Sequence, residues 1–179
     1  MTGHDQRGFS IIEATIAASL LAVAVAGLAQ LTVATGQANA AARRSTIAQH
    51  AAIERMEQLR ALAWTSDGGV VPVTDWTTDL STTPASAGGA GLVPASSALA
   101  ANTSGHCDFL DAEGRWLAGG TRAPTGAAWI RRWSVAPVDP LGDTLVLHVI
   151  VSPATAGSEQ SATSMSGASL VTMRTRRVR

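Results

Sequence analysis

The chain of 179 residues has no lysine, no tyrosine and a single cysteine, Cys107. One cysteine excludes an intramolecular disulfide framework. All 13 basic residues are arginine and 13 acidic residues balance them, so a formal net charge of zero gives no support to a nucleic-acid-binding surface. Aromatic residues make up only 4% of the chain, so a folded core must rest mainly on aliphatic side chains.

Charge is also missing from one long stretch near the amino terminus. Residues 14–42 contain no Asp, Glu, Lys or Arg, and residues 14–31 are almost entirely Ala, Leu, Val and Ile. A helix of about 20 apolar residues can cross a bilayer, so a transmembrane segment is predicted at about 9–31. Glu13 lies at the edge of this segment, where an ionised carboxylate costs on the order of a few kcal/mol unless a positive group pairs with it. A functional role is therefore predicted for Glu13.

The residues before the apolar stretch form a short motif of fixed order, Gly8-Phe9-Ser10-Ile11-Ile12-Glu13. The motif and the apolar segment that follows it resemble the amino terminus of type IV pilins and of the pseudopilins of type II secretion. The resemblance implies a leader peptide over residues 1–8 and cleavage between Gly8 and Phe9. It also implies N-methylation of Phe9 by a membrane-embedded prepilin peptidase, and a role for Glu13 in filament assembly.

The chemistry of Glu13 agrees with that role. In a helical stack of identical spans its carboxylate meets the ammonium group of Phe9 in a neighbouring subunit, and each charge is compensated in a low dielectric. A buried pair of this kind fixes the register between helices more than it adds stability. The alternative is that Glu13 lies in the headgroup layer with its carboxylate in water.

The resemblance further implies a structural subunit rather than an enzyme, without cofactor or metal. The implied location is the bacterial cytoplasmic (inner) membrane, crossed once with a head outside, and then a cell-surface or periplasmic filament. The implied partners are the prepilin peptidase/methyltransferase, other pilin or pseudopilin subunits, the inner-membrane assembly machinery and the lipid bilayer. Gln30 stands where major pilins have proline, which favours a minor pilin or pseudopilin, most of all a minor pilin of the type IV pilus modification type. A pilus, a DNA-uptake filament and a secretion pseudopilus all stay open.

Two functions of other classes are also compatible with the sequence. Residues 1–7 can be read as the start of a secretory signal and Ala38-Asn39-Ala40 as its cleavage site, which predicts a soluble periplasmic or extracellular binding protein released after Ala40. Against this, the apolar run is longer than the usual stretch of about 7–15 residues. The third class is a membrane-anchored enzyme that uses Cys107.

The helix is predicted to continue past the membrane, over residues 9–62 in all. Residues 38–63 are rich in helix formers, and the first proline is Pro72. Apolar residues recur at helical spacing along one narrow stripe, which predicts contact with a core: Ala48, Ala52, Met56, Leu59 and Ala63. The polar residues on the other side are predicted to face water: Arg43, His50, Glu54, Glu57 and Gln58.

Residues 63–179 are predicted to form a globular head. Residues 64–127 are loop-rich, with a short strand within 70–76. Residues 128–177 are predicted to form an antiparallel sheet of three strands, at 128–138, 144–152 and 168–176. Four residues of the second strand share its buried face: Leu145, Leu147, Val149 and Val151. The sheet packed on the helical stripe gives an α+β fold, and this layout resembles the compact pilin head.

Three further features have plainer predicted roles. His106-Cys107-Asp108 is predicted to be loop with a free thiol, because adjacent strand residues point to opposite faces and no further ligands follow at regular spacing. His148 is predicted to be a satisfied or half-exposed strand residue. Four arginines are predicted to form a solvated edge that discourages aggregation, rather than a phosphate or lipid site: Arg174, Arg176, Arg177 and Arg179.

Overall fold

The computed structural model describes residues 10–67, 71–138, 143–154 and 167–178. The chain divides into two compact units, Met1–Ala42 and Arg43–Arg179. The predicted leader, Gly8 and Phe9 lie outside the described residues. The second unit is called the carboxy-terminal unit below.

One long helix, α1 (Ile11–Ala61), accounts for nearly all of the described residues up to Ala61. Its sequence contains no proline and is rich in alanine, which favours an unbroken helix. The hydroxyl groups in its apolar part each donate to the carbonyl four residues earlier, and so they are satisfied within the helix: Thr15, Ser19, Thr32 and Thr35. The predicted long helix is confirmed over the described residues, and the side chains of residues 10–42 are all exposed.

The main sheet of the carboxy-terminal unit has five antiparallel strands in the order β6-β5-β7-β8-β9. Their bounds are β5 Cys107–Leu110, β6 Trp116–Gly119, β7 Trp129–Pro137, β8 Thr144–Pro153 and β9 Ala168–Thr175. The three predicted strands correspond to β7, β8 and β9. The sheet therefore extends beyond the predicted region 128–177, because β5 and β6 come from the part of the chain predicted to be loop-rich.

Two smaller sheets complete the unit. The first has the order β10-β1-β2, from β1 (Trp64–Asp67), β2 (Val71–Thr74) and β10 (Arg177–Val178). Its β1 and β10 pair in parallel, so the carboxy-terminal unit is not wholly antiparallel. The second pairs β3 (Thr78–Asp79) with β4 (Ser86–Ala87). The short strand predicted within 70–76 corresponds to β2.

The core lies between the last turns of α1 and one face of the main sheet. The predicted stripe is confirmed for Ala48, Ala52, Met56 and Leu59, which are buried together with all four predicted residues of β8. Ala63 is an exception. It is exposed because α1 ends at Ala61, and Leu62 occupies the buried position instead. The result is an α+β arrangement of a long amino-terminal helix and antiparallel sheets.

Candidate functional site

Of the residues predicted to act in processing and assembly, Glu13 lies among the described residues. It stands in the first turn of α1 and its side chain is exposed. A carboxylate in this turn is favoured by the partial positive charge of the helix amino terminus. The exposed position leaves the carboxylate available to a group outside the chain, since none of the described contacts engages it.

The apolar part of α1 is long enough to cross a membrane. Its most apolar window of 18 residues has a mean hydropathy of 2.2, and none of that window is buried. This statement rests on the length and composition of the helix alone, and a signal sequence would have the same properties. The exposed large side chains include Ile11, Ile16, Leu20 and Leu28, which water solvates poorly and lipid or a neighbouring helix would cover.

A buried ion cluster joins α1 to the main sheet. The carboxylate of Asp108 in β5 accepts hydrogen bonds from Arg131 Nε at 3.0 Å and Nη2 at 2.8 Å. It also accepts a bond from Arg55 Nη2 of α1 at 2.5 Å. All three side chains are almost fully buried, with 0% of Asp108 and 1% of each arginine exposed. One carboxylate therefore connects a helix and two strands.

The remaining contacts of the two arginines tie the cluster to the backbone. Arg131 Nη1 donates to the carbonyl of Ala51 at 2.9 Å and lies 3.4 Å from the half-exposed carboxylate of Glu54. Arg55 donates to the carbonyl of Leu80, and its guanidinium lies 4.3 Å from the ring centroid of Trp133. The cations are thus held by carboxylates, carbonyls and an aromatic face, as buried charges require.

The electrostatics of the cluster show the cost of burying like charges together. Burial lowers the pKa of the Arg55 guanidinium to about 10, and the neighbouring Arg131 adds to this effect. Asp108 opposes both by stabilising the charged form. The charges of Asp108, Arg55 and Arg131 are all buried against protein groups, so their arrangement is that of a structural bridge between α1 and the sheet.

Cys107 lies in β5 and not in a loop, so this part of the sequence-based prediction is wrong. The residue is completely buried, and the single S–H proton is shared between two acceptors, the carbonyls of Gly120 at 3.0 Å and Thr103 at 3.3 Å. Burial raises the pKa of the Cys107 thiol to about 11. A thiol that stays protonated is a poor nucleophile, and this favours a structural role over catalysis.

The three histidines among the described residues lie in three different settings. His106 is buried, with its ring centroid 6.3 Å from that of Trp133. His50 is exposed, as predicted, and borders a groove of about 220 Å³ that Glu113 and Gly114 also line. His148 is a half-buried strand residue, as predicted, and its Nε2 lies 2.8 Å from Ser169 Oγ. Among the described residues no group of three or more His, Cys, Asp or Glu side chains could hold a metal ion.

The predicted solvated arginine edge is wrong for two of its four members. Arg174 donates to the carbonyls of Leu59 at 3.2 Å and Leu62 at 2.7 Å, so it caps the end of α1. Arg176 pairs with Asp143 and stacks its guanidinium 3.7 Å from the ring centroid of Trp64. Both arginine side chains therefore bond to other parts of the carboxy-terminal unit. The side chains of Arg177 and Arg179 lie outside the described part of the chain.

Sequence reasoning missed Arg55 and Arg131 as partners of Asp108. A signal was present for Arg55, which falls between Ala52 and Met56 on the apolar stripe, where an arginine needs a buried partner. For Arg131 no such signal exists, since an arginine in a strand is ordinary. No protein-family model, no curated protein and no solved structure matches this chain.

Proposed function

We propose that the chain is a minor pilin or pseudopilin, a structural subunit of a type IV pilus-like filament. The observation that carries the proposal is the register of the amino-terminal motif. Gly8, Phe9 and Glu13 stand in the order of a prepilin processing site, directly before a long apolar helix. The α+β arrangement of that helix and the antiparallel sheet supports the same proposal.

In this proposal the protein is made as a precursor in the cytoplasmic membrane. Prepilin peptidase removes residues 1–8, which creates a new ammonium group on Phe9, and the same enzyme methylates it. The apolar part of α1 then leaves the lipid and packs against the helices of other subunits. The Glu13 carboxylate pairs with the ammonium of a neighbouring Phe9 and sets the axial position of the subunit.

Replacing Glu13 with Ala tests the pairing step. We expect normal leader removal, because cleavage by the peptidase does not need the carboxylate. We also expect loss of the subunit from the filament, because the axial position of the subunit depends on the carboxylate. Amino-terminal mass spectrometry reports processing, and immunoblots of sheared or extracted filaments report incorporation. Glu57→Ala is the matched control, since Glu57 is an exposed glutamate of the same helix. Normal incorporation of the Glu13→Ala protein would refute the pairing.

Replacing Gly8 with Leu tests the processing step. We expect an uncleaved precursor, because a bulky side chain at the cleaved bond blocks the peptidase. A mature-sized product beginning at Phe9 would refute the assignment to the pilin family.

A secreted domain released after Ala40 is the second candidate. It is supported by the division of the chain, since the carboxy-terminal unit begins at Arg43 and its first buried residue is Ala48. Cleavage after Ala40 would leave that unit whole. The mass of the mature amino terminus separates the two candidates: methylated Phe9 supports the filament subunit, and Ala41 supports the secreted protein.

A further inference from the structure

The two edge strands of the main sheet, β6 and β9, differ in what covers them. At β6 the Trp116 indole N–H donates to the carbonyl of Ser81 at 2.9 Å. Ser81 also lies close to Gly119 of β6. A Cβ atom on Gly119 would stand 2.4 Å from the Ser81 carbonyl oxygen. At the other edge, among the described residues, no strand pairs with the outer side of β9. Among the described residues, the edge at β6 is therefore covered by the segment around Ser81, and the edge at β9 has backbone groups available for pairing with another strand.

The register shows which backbone groups β9 offers. Just beyond the strand, the N–H of Arg176 donates to the carbonyl of Asp143 at 2.8 Å, and the same register runs without a break along β8 and β9. In an antiparallel pair, residues that bond to the neighbouring strand alternate with residues whose N–H and C=O groups point away from it. The groups that point away belong to Ser169, Val171, Met173 and Thr175.

The side chains of β9 do not protect this edge. Edge strands are commonly blocked by lysine, proline or a bulge. β9 has no proline and no bulge, and its charged residue, Arg174, bonds to the end of α1. The side chains of Val171 and Met173 are 60% and 64% exposed.

Further apolar side chains lie on the same face of the neighbouring strands. Val146, opposite Met173 in the register, is half-buried, and Val138, just after β7, is exposed. Together with Val171 they form an apolar strip beside the open edge. A strand added to β9 would lengthen this strip and cover part of it.

We propose that the outer edge of β9 binds an extended segment of another protein, which adds a sixth strand to the sheet. The segment carries apolar side chains at alternate positions, opposite Val171 and Met173, and its backbone bonds to the N–H and C=O groups that point away from β8. Strand addition of this kind takes its affinity from the main chain and its specificity from alternate side chains.

A second copy of this chain fits the edge less well. α1 passes Arg131 of β7 at Ala51 and reaches Arg174 of β9 at Leu59, so its carboxyl end lies over the open edge. Antiparallel pairing of two β9 strands about a two-fold axis would bring these ends together. The two Arg43 residues would then lie at opposite ends of the pair. The crowding of the two helix ends over the shared edge favours a different chain as the partner.

Cysteine accessibility tests the proposal in the full-length protein. The native Cys107 is buried and serves as a silent background. In Val171→Cys the new thiol lies at the open edge, and in the control Leu117→Cys it lies in β6, the covered edge, on a side chain that is 36% exposed. The rates of labelling by a membrane-impermeant maleimide are compared in native-host membranes and in purified protein in detergent. We expect the edge thiol to be labelled about tenfold more slowly in membranes, and the control thiol equally fast in both.

A second substitution removes the proposed strand without touching the labelled thiol. Met173→Lys, combined with Val171→Cys, places a charge on the edge and should restore fast labelling in membranes. Three results would overturn the proposal. These are equal labelling of Val171→Cys in both states, slow labelling already in the purified protein, and an oxidised product of twice the chain mass.

This inference deepens the proposed function, because it gives the filament subunit a binding surface for a partner. Its failure can be told apart from failure of that function. The amino-terminal mass of the same samples reports cleavage at Gly8 and Phe9, which does not depend on β9.

Discussion

The carboxylate of Asp108 compensates two buried guanidinium groups, those of Arg55 and Arg131. Removing it would leave two like charges buried side by side, whereas the more exposed Glu54 forms an ion pair with Arg131 and not with Arg55. Breaking a buried ion pair in this way costs several kcal/mol. Loss of the Asp108 carboxylate should therefore destabilise the carboxy-terminal unit more than loss of an exposed carboxylate.

We expect Asp108→Asn to lower the free energy of unfolding by about 3–5 kcal/mol. Urea unfolding of the full-length protein in detergent, followed by tryptophan fluorescence, measures this change. The control is Asp143→Asn, because the Asp143 side chain is 57% exposed in its pair with Arg176. It should cost about 0–1 kcal/mol. Equal effects of the two substitutions would contradict the structural role of the cluster.

The Cys107 thiol makes stability depend on pH in the alkaline range. Its pKa is raised to about 11 in the folded protein, from an ordinary value of 9.0. Between these values the unfolded chain releases a proton that the folded chain keeps, so stability falls as pH rises. Arg55 has the opposite effect on stability: its pKa is lowered in the folded protein, so its contribution makes stability rise as pH rises. Comparison with Cys107→Ala isolates the thiol.

We expect the urea midpoint of the native protein to fall more steeply than that of Cys107→Ala between about pH 9 and pH 11. The substitution also removes a buried sulfur and lowers stability at neutral pH, so the slopes, not the midpoints, are compared. Parallel slopes would show that the thiol is not held protonated by the fold.

At the scale of whole elements, the end of α1 depends on the last long strand. The final carbonyls of a helix have no partners within it, and here Arg174 of β9 donates to the carbonyl of Leu59 in the last turn and to that of Leu62, the residue after α1. A cation at a helix carboxyl end is also favoured by the helix dipole. One side chain therefore joins the helix to the sheet edge.

Replacing Arg174 with Ala should lower the free energy of unfolding by about 1–2 kcal/mol, since two charged hydrogen bonds to the backbone are lost. Arg122→Ala is the control, because Arg122 is exposed in the loop before β7. Chemical denaturation measures both. The capping role is wrong if the two substitutions have the same effect.

Elements with clear periodicity were predictable, and elements without it were not. The spacing of Ala48, Ala52, Met56 and Leu59 placed the buried face of α1 correctly, and alternation did so for β8. β5 was missed because it has only four residues and all of them are buried, which leaves no alternation to detect. The ion cluster was out of reach for a related reason: Asp108 meets Arg55 across 53 positions of sequence.

At the scale of the whole molecule, the carboxy-terminal unit contains all of the described core. Its first buried residue is Ala48, and the compact unit begins at Arg43. The hydrophobic contacts that stabilise it come from residues after this point. The apolar segment before Arg43 is not needed for those contacts.

A chain of residues 43–179 should therefore fold as a soluble protein. We expect cooperative thermal unfolding by circular dichroism. A shorter chain of residues 53–179 should not fold, because it lacks three buried alanines of the helix: Ala48, Ala51 and Ala52. Cooperative unfolding of the shorter chain would show that this part of α1 is dispensable.

The contacts of Arg174 and Arg176 also set an order of events during synthesis. These residues hold the end of α1 and the first strand, which lie more than 100 positions earlier in the sequence. A ribosome delivers the early residues well before the late ones. The contacts that hold the end of α1 and β1 cannot form until Arg174 and Arg176 have been synthesised. A chaperone that protects the incomplete carboxy-terminal unit would act on the nascent chain in that interval.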